Sequence, residues 1–110
     1  MLKRILALDG VQAVARFRDD GALFEAYGTL SESHMVTLAR FARDYKRLMQ
    51  ANADQLAMFT GMRGWTPPSA WVVRGQNMTV CSAGNLVCIV ENNLSNANEI
   101  MQTLTELAQY

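Results

Sequence analysis

Between His34 and Thr60 the chain has no glycine and no proline, and its apolar residues recur at helical spacing. At 1.5 Å rise per residue, a helix over this stretch runs roughly 40 Å. Placed at 100° per residue, Met35, Leu38, Phe41, Ala42, Tyr45, Leu48, Met49, Ala53, Leu56 and Phe59 fall within one arc of about 140°. Arg40, Arg43, Arg47, Gln50 and Asp54 lie opposite. So wide an arc exceeds what one sheet face covers, and its excess points to a second chain.

The segments around this helix fill in the rest of a sheet. Leu2, Ile5, Leu6 and Leu8 give a short first helix that ends by Asp9-Gly10, and a strand follows from Val11 to Arg18. Asp20-Gly21 reads as a two-residue type I′ hairpin, because both central positions of that turn need positive φ. Closing there sets Phe17 against Phe24, Arg16 against Glu25 and Val14 against Tyr27, three favourable cross-strand pairs. Ala13, Ala15 and Ala26 share a face small enough for a helix to lie close. Gly28 ends the second strand, and Ser31 or Ser33 can cap the long helix.

After the long helix, Gly61 to Pro68 makes a stiff connector carrying Trp65. Three strands follow at Ala70–Arg74, Met78–Ala83 and Leu86–Glu91, separated by Gly75-Gln76-Asn77 and Gly84-Asn85. Asn92 to Asn96 supplies a loop and cap, Glu99 suits a first turn, and Ile100, Met101, Leu104, Leu107 and Ala108 mark a closing amphipathic helix. The whole of 1–110 is one domain, of α/β (α+β) class and order α-β-β-α-β-β-β-α.

Ten acidic and ten basic residues balance, so no global field argues for nucleic acid or an anionic membrane. No apolar run approaches the roughly 20 residues of a membrane span, and the start lacks the apolar core of a secretory signal. Two cysteines do not make a disulfide framework of the secreted kind. The expected location is the cytoplasm, of bacterial type, without membrane insertion.

No catalytic set is visible. The only histidine, His34, stands at the front of the long helix, no Gly-x-Ser-x-Gly turn surrounds a serine, and no metal-ligand spacing occurs. Gly61-Met62-Arg63-Gly64 lacks the Gly-Lys-Ser/Thr ending of a phosphate loop. The expectation is no enzyme, no cofactor and no metal. If Gly84-Asn85 is a two-residue turn, Cys81 sits opposite Cys88, either as two buried thiols or as a reversible redox clip. Arg40, Arg43, Lys46 and Arg47 form a basic cluster interrupted by Asp44 and Asp54, an anion site or an ordinary solvated face. Trp65 reads equally as a partner-binding aromatic or a core lid. Asn52 falls inside the apolar arc, where it either fixes register at a two-fold interface or meets water at the arc's edge.

Leu8-Asp9-Gly10-Val11, Arg18-Asp19-Asp20-Gly21 and the long helix resemble the front half of roadblock/dynein light chain domains. Val72-Val73-Arg74-Gly75, Met78-Thr79-Val80 and Leu86-Val87-Cys88-Ile89-Val90, followed by a helix, are similar to their back half. The resemblance covers nearly the whole chain and departs from it at Gly61 to Ser69, where most members connect more briefly. It implies a roadblock-like, profilin-like fold of a bacterial branch without characterised function. In that fold a five-stranded antiparallel sheet carries the long helix on one face and two shorter helices on the other.

The family pairs long helices and joins third strands, and serves as scaffold, adaptor or small-GTPase regulator without a shared active site. Carried over, the homodimer interface would use Leu38, Phe41, Tyr45, Leu48, Asn52, Leu56 and Phe59, with Trp71 and Val73 flanking the joined edge. The expected partners are a second copy of the chain, and a small GTPase or another protein. Two rival functions stand beside the scaffold: activating or anchoring a GTPase, and sensing a small ligand or thiol redox state. The sensor would use a pocket between sheet and long helix near Cys81, Cys88 and Trp65.

Overall fold

A computed structural model describes residues 2–52, 70–93 and 96–108. The elements are α1 (Leu2–Leu6), β1 (Val11–Phe17), β2 (Leu23–Gly28), α2 (Glu32–Ala51), β3 (Ala70–Arg74), β4 (Met78–Ala83), β5 (Leu86–Glu91) and α3 (Ala97–Ala108). All strand pairings are antiparallel, and the strand order is β2-β1-β5-β4-β3. The sheet therefore has β2 and β3 as its two edges.

Side chains alternate across a strand, so each strand feeds two cores. Ala15 and Phe17 of β1, Val87 of β5 and Trp71 of β3 meet Leu38, Ala39 and Ala42 of α2 on one face. Val14, Cys81, Ala83, Leu86, Cys88 and Val90 meet Leu2 and Ile5 of α1 and Ile100, Leu104 and Leu107 of α3 on the other. Ala15, Ala39 and Ala42 are fully buried and lack bulk, which lets α2 lie close to β1. Each large apolar side chain taken fully out of water contributes about 1.5–3 kcal/mol.

The capping signals act as the sequence predicts. Ser31 is the N-cap of α2, its hydroxyl accepting from the His34 N–H at 3.3 Å. Asn96 does the same for α3, accepting from the Glu99 N–H at 3.2 Å. All three C-terminal strands have the expected bounds, and across the Gly84-Asn85 turn Cys81 pairs with Cys88. Asn92 ties β5 to the β3–β4 turn, its amide donating to the carbonyls of Gly75 and Gln76 at 3.0 and 3.2 Å.

Two expectations are corrected. The first hairpin does not close in a two-residue turn, because no residue other than glycine has positive φ among the described residues. Instead the Gly21 N–H donates to the Arg18 carbonyl at 2.8 Å, and Gly21 alone takes positive φ, at 89°. That is a type I turn followed by a left-handed glycine, which adds one residue to the loop. Arg16 still pairs with Glu25 and Val14 with Tyr27, but Phe17 pairs with Leu23 rather than Phe24. Displaced by the bulge, Phe24 is half exposed beneath the Arg18 guanidinium, 4.8 Å from its ring centroid.

The second correction concerns the long helix, which ends at Ala51 instead of running unbroken to Thr60. Asn52 leaves helical geometry at φ −101° and ψ 12°, and its side-chain amide donates to the Leu48 carbonyl at 2.8 Å. Its own N–H reaches the carbonyls of Leu48 and Met49 at 3.2 and 3.3 Å. Asparagine suits a helix end because its side chain satisfies the last carbonyls. Gly61 to Ser69, including Trp65, lies outside the described residues, as do Ala53, Leu56 and Phe59.

Candidate interaction surface

Phe41, Tyr45 and Leu48 stand at i, i+4 and i+7, so they share one flank of α2. Phe41 remains 42% exposed and Leu48 56% exposed, while Tyr45 is half-buried. This flank is turned toward the β3 edge of the sheet. The Tyr45 ring lies 4.6 Å from Trp71 of β3 between centroids, and Phe41 meets the same indole edge-on at 5.9 Å. Phe41 and Tyr45 contact each other at 5.7 Å, so the three rings form one aromatic cluster. Trp71 itself is only 8% exposed and serves as the cluster's base.

On the same edge strand Val73 is half-buried beside that core, whereas Val72 points to the other face and is 47% exposed. Among the described residues β3 has a strand neighbour on one side only, β4. An edge strand offers unpaired N–H and C=O groups along its open side. Exposed apolar side chains therefore lie beside an open backbone edge.

The residues assigned to the interface by resemblance do not all share this surface. Leu38 is 8% exposed and packs within the chain's own core. The Asn52 amide is engaged at the C-cap of its own helix, so it does not sit as an unpaired polar group inside the arc. Leu56 and Phe59 fall outside the described residues.

Cys81 and Cys88 are fully buried free thiols in the core beneath α1 and α3. That placement corrects the expected thiol pocket between sheet and long helix, because the pair faces away from α2. The hydrogen bond with Cys81, reinforced by burial, pushes the Cys88 thiol well above its ordinary range. A thiol held protonated is a poor nucleophile.

Two features of α2 carried no signal in the sequence. Arg43 reaches across to the β1–β2 turn, its Nη2 donating to the Asp20 carbonyl at 3.0 Å. Lys46 Nζ donates to Asn85 Oδ1 at 2.8 Å, and Asn85 Nδ2 donates to Asp19 Oδ1 at 2.9 Å. The basic cluster is thus partly a latch that ties the helix to two turns distant in sequence. Arg40 stays exposed and apart from these bonds. His34 is exposed in the first turn of α2. Among the described residues no helix is long and apolar enough to cross a membrane.

A five-stranded antiparallel sheet with one long helix on one face and two shorter helices on the other is a roadblock-type fold. The structure is similar to a Roadblock/LC7 domain from Streptomyces avermitilis, with a TM-score of 0.80 at 12% identity over 99% of this chain and 88% of that one. It is also similar to the gliding protein MglB of Thermus thermophilus, at 0.72 and 16% identity over 98% and 85% of the two chains. MglC of Myxococcus xanthus aligns at 0.64 and 11% identity over 99% and 90%. The chain belongs to the family described as "Uncharacterized conserved protein (DUF2173)", which matches residues 1–106. Comparison with curated protein sequences finds no match.

Proposed function

We propose that this protein is a non-catalytic interaction module that works as a homodimer in the cytoplasm. The carrying observation is the continuity of exposed Phe41 and Leu48 with Tyr45, Trp71 and the open edge of β3. Aromatic anchors ringed by aliphatic contacts are the usual energetic centre of an interface. Two copies related by a two-fold axis would cover this flank and join their β3 edges, so that one contact satisfies both apolar and backbone groups.

An MglB of the same fold has a tetrameric arrangement, at 17% identity and a TM-score of 0.71, which supports self-association as a property of the fold. The pair would then act as scaffold or regulator for another protein, a small GTPase being the candidate from the roadblock resemblance. Sedimentation equilibrium at micromolar concentration tests the first step, with twice the chain mass expected. A monomer at that concentration would refute the homodimer. Nucleotide hydrolysis by a candidate GTPase, measured with and without the protein, tests the second.

A further inference from the structure

On the flank of α2 turned away from Phe41 and Leu48, Arg43, Lys46 and Arg47 line a cleft of about 290 Å³. Its opposite wall is made by Asp19 in the β1–β2 turn and Asn85 in the β4–β5 turn, with Phe17 at the junction. An adjoining cleft of about 400 Å³ shares Asp19, Lys46 and Asn85 and extends to the end of α3. Cavities of this order suit small molecules rather than polymers.

The cationic groups are held in place. The Asp19–Asn85–Lys46 chain of hydrogen bonds uses one of the three donors of the ammonium and fixes its position. Arg43 is fixed by the Asp20 carbonyl and by Asp44, 3.2 Å from its Nη1. Among the described residues neither Lys46 nor Arg47 is in an ion pair. Three cations and one carboxylate line the smaller cleft, and with Arg43 paired to Asp44 one positive charge remains in excess. The chain as a whole is neutral, which makes this excess local.

We propose that this cleft binds a small molecule through a phosphoryl group. A phosphate monoester carries roughly two negative charges at neutral pH, and Lys46 and Arg47 are the two lining cations left to meet them. Arginine forks fit its oxygens, and lysine adds a compact point charge. Gln50, on the same wall, offers an amide as a neutral donor. This site does not depend on the dimer reading, since the proposed dimer flank lies on the other side of α2.

Titration of the ¹⁵N-labelled full chain with inorganic pyrophosphate at constant ionic strength tests it. Saturable shifts confined to Asn85 and the Lys46–Gln50 turn are expected. Arg47→Gln should weaken binding about ten-fold, the usual scale of one charged hydrogen bond. Arg47 is exposed, so its replacement leaves the fold intact. Arg40→Gln removes the same charge from the same helix outside the cleft and should leave the affinity unchanged. Shifts that grow without saturation, or equal weakening by Arg40→Gln, would overturn the proposal.

Discussion

Leu38 and Leu48 are one residue type on one helix, yet the structure assigns them opposite tasks. Ten residues of α-helix turn a side chain about 80° from where it began. Leu38 is 8% exposed in the core against β1, while Leu48 is 56% exposed beside the aromatic cluster. Leu38→Ala should therefore cost about 2.5–5 kcal/mol of folding stability, the range for a buried leucine and its cavity. In a domain of this size, each kcal/mol lowers Tm by roughly 4 °C, so a fall of about 10–20 °C is expected. Leu48→Ala removes a side chain only partly withdrawn from water and should cost the isolated protomer about 1 kcal/mol or less.

In a homodimer the exposed half of Leu48 would be covered twice, once per copy, for roughly 2 kcal/mol per dimer. Leu48→Glu loses that and sets two carboxylates against an apolar flank, so the dimer should weaken by at least about 30-fold. Sedimentation equilibrium and the concentration dependence of Tm read the two effects separately. A Leu48→Glu protein that dimerises as tightly as wild type would remove this flank from the interface. A Leu38→Ala protein with an unchanged Tm would refute the core assignment.

Other substitutions probe the local devices. Gly21 has φ of 89°, and a Cβ there would lie 2.9 Å from Arg43 Nε, so Gly21→Ala should cost about 1–2 kcal/mol by urea denaturation. Ser31→Ala removes the N-cap acceptor of α2 and should cost about 1 kcal/mol, with Ser31→Asp recovering most of it. Cys88 titrates well above its ordinary 9.0 in the folded protein. The unfolded chain therefore releases this proton first. The stability from keeping the thiol protonated is complete below pH 9 and declines as pH rises past it. The same hydrogen bond lowers Cys81, so the loss shows only once both thiols of the unfolded chain have titrated. From about pH 9.5 to 11, denaturation midpoints should fall less steeply for a Cys81→Ala/Cys88→Ala protein than for wild type, and equal slopes would contradict the shift.

What the sequence exposes and what it hides divide along the range of the interactions involved. The caps at Ser31 and Asn96 and the Gly84-Asn85 hairpin are contacts between near neighbours, and each was legible as residue chemistry. The first hairpin failed by one residue because Asp20-Gly21 fits either a two-residue turn or a type I turn with a left-handed glycine, and only the glycine is at positive φ. The Arg16–Glu25 and Val14–Tyr27 pairs tolerate both closures, since the bulge lies between them and the turn. Asn52 lies in a stretch whose lack of glycine and proline predicts an unbroken helix, but asparagine can end a helix with its own amide.

The face of the thiol pair is a different kind of question. Register within β4–β5 puts Cys81 beside Cys88, yet which helix covers them depends on β1 pairing with β5, where Val14 stands opposite Cys88. No turn connects those strands, so nothing local states the parity. The apolar arc of α2 has the same ambiguity. Its width shows that one sheet cannot cover it, but the division falls where β3 ends the sheet, with Leu38 inward and Phe41 and Leu48 at the rim. An excess of apolar surface is thus readable from periodicity alone, while its location follows from long-range pairing. The phosphoryl cleft is less legible still, because its walls come from α2 and two turns that only the completed sheet brings together.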